Sequence, residues 1–466
     1  MATEAEPIEP TVLDSEPVPA PSPTTAPVHA EPVAAAERVA AVDVLRGFAL
    51  LGILAMNIVS FGWGDQVYGN PMLGDGFQGA DRAVWVFNHI VFDTKMMTTF
   101  SMLFGAGLVL MSDRAEGRGA RLRGVYYRRI LWLLVFGAIH GYLIWSGDIL
   151  FLYAECGLLL YLFRRKSAPT LIVLGVTAIV LMIPLVFAMI AGVESLKARA
   201  ARLDAEAKAG RRLNWTETQI VALHPKLREF MELNPDPKKV EEELDKERRV
   251  YRGGYLGIVK QRAPRVLIGQ IIGLVVGFLA IGGRMLLGMG LMKAGVFAAE
   301  RSRRFYLGMA LLGYGVGLPL VAWNAWESIR HNFQSVFFLR GGFAINYLGS
   351  VVVALGHVAA LMLVVQSGAL TWLTDRLAAV GRMALTNYLT HSILCTTLFY
   401  GYGFGLFGHI NRVGLAGIVL LIWAAQLSYS PVWLARFRFG PAEWLWRSLT
   451  YWRIQPIRRP QAVAVG

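Results

Sequence analysis

The chain contains about ten apolar stretches, each close to the length that an α-helix needs to cross a lipid bilayer. Of its 466 residues, 55% are hydrophobic and only 17% are charged, whereas a soluble domain exposes more charge. Because each backbone polar group must be satisfied within the segment in lipid, such stretches predict an all-α, polytopic transmembrane helical bundle. The predicted spans are residues 47–63, 92–111, 130–145, 149–163, 171–191, 266–292, 305–326, 343–365, 383–402 and 413–427.

Positively charged residues collect in alternate loops of this ten-span arrangement. They follow spans two, four and six, precede span nine and close the chain. Loops rich in arginine and lysine stay on the cytoplasmic side of a membrane, so both termini are predicted to be cytoplasmic. The net charge of +14 then belongs to loops that face anionic lipid, and the predicted partner is the lipid bilayer rather than nucleic acid.

Composition divides the chain into five segments. Residues 1–37 are rich in proline, alanine and glutamate, which predicts a disordered cytoplasmic tail. Residues 38–191 and 265–430 hold spans one to five and six to ten. Between them, residues 192–264 form a polar outer insert, in which the charged stretch 238–252 predicts a surface helix. Residues 431–466 form a basic cytoplasmic C-terminal segment.

Ionisable side chains inside a span are costly, so each is a candidate functional residue. His140, Asp148, Tyr153 and Glu155 flank one tight turn between spans three and four, and we expect them to meet in the outer half of the bundle. A carboxylate beside an imidazole orients it and raises its basicity, which suits a general base. The same arrangement also suits a proton relay in a transporter, or a simple link between helices.

Other polar residues within the spans are weaker candidates. Arg284 lies in span six, and His391 lies beside Asn387 in span nine. Interhelical hydrogen bonding alone would explain such residues. The two cysteines, Cys156 and Cys395, both fall within spans, and the sequence has no metal-ligand spacing. We therefore expect neither a disulfide framework nor a metal site.

Several sequence blocks resemble the YeiB-like family of bacterial membrane proteins, catalogued as domain of unknown function 418. They are spread along the whole chain except the tail and the insert. The blocks are residues 43–54 (DVLRGFALLGIL), 100–107 (FSMLFGAG), 146–150 (SGDIL), 381–389 (GRMALTNYL) and 439–447 (FGPAEWLWR). The resemblance implies a multi-pass protein of the bacterial cytoplasmic (inner) membrane.

That family is similar to the broader transmembrane acyltransferase group. The similarity implies transfer of an acyl group from cytoplasmic acyl-CoA, as a co-substrate, to an envelope glycan or lipid acceptor, with no tightly bound cofactor. The chain departs from the best-known bacterial branch, because residues 148–150 (DIL) stand where that branch has a His-x-Trp-Ser-Leu block. Candidate substrate-binding residues on this reading are Asp43, Arg46, Arg129, Arg284, Asn387 and His391.

The arginines among these residues fit the chemistry of the donor, because coenzyme A carries several phosphates that guanidinium groups bind well. Two other function classes stay open from the sequence. A small-molecule or proton-coupled transporter would use His140 and Asp148 as its substrate or proton site. A non-catalytic membrane scaffold would need neither residue.

Overall fold

The computed structural model of the protein describes residues 39–74, 77–230, 237–334 and 341–459, and gives the backbone alone for residues 223–230, Pro237 and Val275. The predicted tail, residues 1–37, lies outside the described residues, as do residues 460–466 of the predicted C-terminal segment. Helices make up most of the described chain, as the apolar stretches predict.

The helices follow the predicted spans closely. Short π-helical turns at His140–Ile144, Phe278–Gly282 and Gly313–Gly317 extend or join some of them. The helices are α1 (Ala40–Trp63), α2 (Asp65–Gly69), α3 (Gly79–Val91), α4 (Lys95–Gly117), α5 (Arg123–Ile139), α6 (Leu150–Leu160), α7 (Ala168–Lys208), α8 (Trp215–Phe230), α9 (Pro237–Tyr251), α10 (Tyr255–Gly277), α11 (Gly283–Lys293), α12 (Arg303–Leu312), α13 (Leu318–Arg330), α14 (Phe343–Ser367), α15 (Thr371–Arg382), α16 (Ala384–Phe399), α17 (Arg412–Arg436) and α18 (Pro441–Tyr451).

Among the described residues, six helical stretches are long and apolar enough to cross a membrane, and the bent pair α10–α11 makes a seventh if it forms one span. The remaining three predicted spans coincide with the shorter helices α5, α6 and α16. The six stretches are Ala40–Trp63, Gly79–Gly117, Ala168–Lys208, Arg303–Arg330, Phe343–Ser367 and Arg412–Arg436.

Local signals in the sequence set several helix ends. The side chains of Ser167, Ser302 and Asn411 accept hydrogen bonds from backbone N–H groups in the first turns of α7, α12 and α17. Such caps satisfy donors that a helix N-terminus leaves free. At the other end of α1, Gly64 adopts a φ of +84°, which lets the chain leave the helix directly after Trp63.

Helix α1 lies at the centre of the bundle and packs against α4, α15, α16 and α17, while α11 packs against α4 and α7. The contact between α4 and α11 is unusually close. A Cβ atom built on Gly288 would lie 1.9 Å from the Met102 carbonyl oxygen, and one on Gly105 would lie 2.0 Å from the Met285 carbonyl oxygen. Small residues allow this approach of two helix backbones, and here only glycine fits.

The insert packs onto the bundle more tightly than a surface helix would. At about 1.5 Å per residue, the 41 residues of α7 are roughly 60 Å long, so α7 continues past the fifth span into the insert. Helix α9 occupies the predicted 238–252 stretch, but Leu244 and Tyr251 on one of its faces are buried. Glu247 on α9 is only 2% exposed, and its carboxylate accepts a hydrogen bond from Arg265 at 2.7 Å.

Replacing Gly288 with valine should destabilise the protein, because the new side chain would force α4 and α11 apart. Overpacking of this kind typically costs about 1–3 kcal/mol, so we expect a Tm several degrees lower in detergent. Gly308→Ala is the matched control, since a Cβ at that position meets no atom within 4 Å. Equal Tm values for the two variants would contradict the close helix contact.

Candidate functional site

Three polar side chains form a buried chain of hydrogen bonds between α5, α6 and α16. The His140 Nδ1 atom lies 2.8 Å from the Asp148 Oδ1 atom, and the His140 Nε2 atom lies 2.8 Å from the Ser392 Oγ atom. Both His140 and Ser392 are 1% exposed. Each imidazole nitrogen therefore has one polar partner, the Asp148 carboxylate at Nδ1 and the Ser392 hydroxyl at Nε2.

Local structure holds this chain in place. His140 begins the π-helical turn at the end of α5, a feature that often marks functional positions. The second oxygen of Asp148 accepts a hydrogen bond from the Phe151 backbone N–H at 2.7 Å, so the same carboxylate orients the imidazole and caps α6. The predicted approach of His140 and Asp148 across the turn is therefore what the structure shows.

Aromatic rings enclose His140. The Tyr388 ring lies 5.1 Å from the imidazole on one side, measured between ring centroids, and the Trp145 ring lies 6.3 Å away. Trp145 itself stacks on Phe61 with 4.0 Å between centroids. The imidazole is thus shielded from solvent, and its hydrogen bonds to Asp148 and Ser392 form in an apolar environment where they are strong.

A cavity of about 250 Å³ opens beside this buried chain. Ile149, Leu150, Tyr153 and Tyr388 line it next to His140 and Asp148, and apolar residues of α1, α4 and α5 form most of its other walls. Helix α18 contributes Glu443 and Trp446. The cavity also has a cationic lining, which consists of Arg46, Arg114, Arg129, Arg382 and Arg447.

Two of the predicted substrate-binding arginines lie in this lining with defined partners. The Arg129 guanidinium stacks on the Trp446 ring at 3.7 Å from its centroid. Arg46 donates a hydrogen bond of 2.7 Å to Asp43, the third predicted residue of this group, and its side chain is 26% exposed. The structure therefore brings Asp43, Arg46 and Arg129 to one cavity, although Arg129 is far from the other two in sequence.

Tyr153 also lines the cavity. Its hydroxyl is hydrogen-bonded to the Ser101 Oγ atom at 2.7 Å, and not to His140. Glu155 lies apart from the other three residues of the predicted centre, because it is on a different face of α6. One of its carboxylate oxygens would lie 3.1 Å from a Cβ built on Gly273 of α10. That oxygen is buried and makes no hydrogen bond within the described structure.

The remaining predicted site residues do not line the cavity. Arg284 is 2% exposed and lies over the Tyr347 ring, 4.8 Å from its centroid. The Asn387 side chain donates to the Val380 carbonyl at 3.2 Å, and the His391 Nε2 atom lies 2.8 Å from a Gln426 side-chain oxygen. Asn387 and His391 thus belong to a second polar cluster, between α16 and α17.

Sequence reasoning missed Ser392, Tyr388 and Glu443. Ser392 follows the candidate residue His391 and Tyr388 follows the candidate residue Asn387. Serine and tyrosine are, however, too common in membrane helices to be recognised as candidates from the sequence. Glu443 accepts hydrogen bonds from the backbone N–H groups of Leu385 at 2.6 Å and Thr386 at 3.1 Å, so it caps α16 from another helix. Burial raises the pKa of the Glu443 carboxyl, although its hydrogen bonds act in the opposite direction.

These features define a class: a helical protein with apolar helices of membrane-spanning length and a cavity, lined in part by arginines, beside a buried His–Asp–Ser chain. Residues 291–453 match the model of the DUF418 family, described as proteins of unknown function. The chain is 32% identical over 443 residues to the uncharacterised protein YxaH of Bacillus subtilis, covering 93% of this chain and 99% of that protein.

A second relative is similar over much of its length. The uncharacterised protein YeiB of Escherichia coli is 31% identical over 419 residues, which are 89% of this chain and 96% of that protein. The chain therefore belongs to the DUF418 family, as its sequence blocks predicted. No solved structure gives a significant match.

Removing the Glu443 carboxylate should lower the stability of the protein. In Glu443→Ala, the first turn of α16 loses its acceptor, and a buried unsatisfied donor costs about 1–3 kcal/mol. Glu443→Gln keeps one acceptor oxygen and should lose less. We expect the order wild type, Gln, Ala in Tm measured in detergent. An alanine variant as stable as the wild type would show that Glu443 does not cap α16.

Proposed function

We propose that this protein is a multi-pass membrane acyltransferase, which moves an acyl group from acyl-CoA to an envelope glycan or lipid acceptor. One observation carries the proposal: a single cavity combines a cationic lining with apolar walls and reaches residues adjacent to a buried imidazole–carboxylate pair. Acyl-CoA suits this combination, because its phosphates are anionic, its acyl chain is apolar and its thioester must meet a hydroxyl that a base has activated.

The arginines of the cavity suit the phosphate end of the donor. Guanidinium groups form charge-assisted, often bidentate hydrogen bonds with phosphate oxygens. Arg129 packs against Trp446 and Arg46 is hydrogen-bonded to Asp43. Both side chains therefore have few rotamers available before the donor binds. Preorganised donors of this kind lose less entropy on binding than free surface side chains.

His140 would act as the general base of the reaction. Asp148 holds its tautomer and stabilises the positive charge that forms when the imidazole takes a proton. Ile149 and Tyr388 line the cavity and are neighbours of Asp148 and His140, respectively. A thioester bound against these two residues would therefore lie close to the imidazole. Arg284, Asn387 and His391 take no part in this donor site.

The proposal also includes a topology: the chain crosses the bacterial inner membrane ten times, with both termini in the cytoplasm. Ten predicted spans coincide with helices, including the three short ones, and the arginines of the cavity lie at the side that loop charge marks as cytoplasmic. The donor would then enter from the compartment that holds acyl-CoA. The insert would lie on the opposite face, above the outer ends of the helices.

Reporter fusions test this topology. Alkaline phosphatase and green fluorescent protein fused after Lys166 and after Gly210 should show a cytoplasmic and an extracytoplasmic location, respectively. A C-terminal fusion should again be cytoplasmic. A cytoplasmic result after Gly210 would show that the ten-span topology is wrong.

Donor binding tests the function itself. Purified protein in nanodiscs should bind acetyl-CoA or octanoyl-CoA in calorimetry, and Arg129→Gln should weaken binding about tenfold to hundredfold, since a hydrogen bond to a charged group is worth about 1.5–3 kcal/mol. His140→Ala should leave binding nearly unchanged. Arg303→Gln, an exposed arginine of α12 outside the cavity, is the matched control.

Binding by the wild type distinguishes an acyltransferase from a transporter, and the two arginine variants test where the donor binds. Absence of acyl-CoA binding by the wild type at millimolar concentration would contradict the acyltransferase proposal and favour a transporter. Equal weakening by Arg129→Gln and Arg303→Gln would place the phosphates outside the cavity.

A further inference from the structure

The donor and the acceptor of the proposed reaction lie on opposite sides of the membrane. Direct transfer between them needs both substrates at the imidazole at once, and therefore a path open from both sides. The structure instead shows His140 only 1% exposed and outside the cavity lining, with the Tyr388 ring 5.1 Å and the Trp145 ring 6.3 Å from its own ring. A group that holds the acyl chain between two half-reactions would remove the need for simultaneous access.

Ser392 has the geometry of such a group. Its Oγ atom lies 2.8 Å from the His140 Nε2 atom, and the other imidazole nitrogen lies 2.8 Å from the Asp148 carboxylate. This order of hydroxyl, imidazole and carboxylate is the arrangement that activates a serine nucleophile, and it is recognised by geometry rather than by fold. The three residues come from three different helices, so the sequence alone does not reveal it.

We propose, on the basis of the acyltransferase function above, that Ser392 is a nucleophile that carries the acyl group as an ester. His140 Nε2 takes the hydroxyl proton while Oγ attacks the thioester carbonyl carbon. The carbon–sulfur bond breaks, the thiolate of coenzyme A leaves with the proton from His140, and an ester on Ser392 remains. In the second half-reaction, an acceptor hydroxyl loses its proton to His140, attacks the ester and releases Ser392, which regains a proton.

Tyr388 gives independent support for a reacting group at this place. It lines the cavity, its ring lies 5.1 Å from the His140 ring, and it is 5% exposed. The proposed ligand is the thioester carbonyl oxygen, whose developing negative charge this hydroxyl would stabilise.

Trapping of the acyl-enzyme tests the inference. Purified protein in nanodiscs is mixed with radiolabelled acetyl-CoA or octanoyl-CoA without an acceptor, and the free thiol of coenzyme A is followed. We expect a burst of about one thiol per protein molecule, and acyl mass on the peptide that contains Ser392. Ser392→Ala should lose both the burst and the label while it still binds the donor.

A second variant keeps the test valid if the alanine protein folds poorly. Ser392→Cys should form a thioester that neutral hydroxylamine cleaves, whereas the wild-type ester resists it. Thr396→Val, one turn further along α16, removes a hydroxyl that donates to the Ile393 carbonyl and not to His140, and it should behave as the wild type does. Tyr388→Phe should bind the donor but slow the burst about a hundredfold to a thousandfold.

The outcomes distinguish this inference from the proposed function. Donor binding with a burst and with label on Ser392 supports both. Donor binding without covalent label, or with label that persists in Ser392→Ala, overturns the role of Ser392 and leaves the acyltransferase proposal in place. A wild type that binds no acyl-CoA overturns the proposed function, and the inference with it.

Discussion

Polar side chains in an apolar helix bundle must find partners inside it, and this requirement organises the structure. An unpaired polar group in a water-free interior destabilises the folded state, and packing contacts do not compensate for this cost. His140 meets the requirement through Asp148 and Ser392, and so connects α5, α6 and α16. His357 meets it through the Tyr314 hydroxyl and the Val91 carbonyl, both at 2.9 Å. Hydrogen-bonded histidines thus hold helices together where hydrophobic contact alone is not specific.

Close helix contacts determine where the bundle is open and where it is filled. At the contact of α1 with α15, a Cβ built on Gly381 would lie 2.0 Å from the Asp43 carbonyl oxygen. This approach places Arg382 and Asp43 in the same cavity wall. Helix α18 covers another part of the wall, and Glu443 fixes it to the first turn of α16. The cavity is therefore bordered by rigid contacts, which suits a preorganised binding site.

Much of the helical architecture follows from the sequence, because the length and apolarity of each stretch act locally. The meeting of His140 and Asp148 was also predictable, since Gly147 turns the chain back on itself between two adjacent helices. The Ser392 contact was not, because it joins residues 252 positions apart and depends on how α16 packs. For the same reason the sequence could not separate Arg129, which lines the cavity, from Arg284, which does not.

The contrast between His140 and His391 shows why we propose only one of these two buried histidines as a general base. Both imidazoles are nearly inaccessible to solvent and both accept or donate a hydrogen bond within the bundle. The partner of His391 is the neutral Gln426 amide, which stabilises a protonated imidazole less than a carboxylate does. His140 has Asp148 on one nitrogen and a hydroxyl on the other. Because a base needs a group that stabilises its protonated form and a proton within reach, His140 meets both conditions and His391 meets neither.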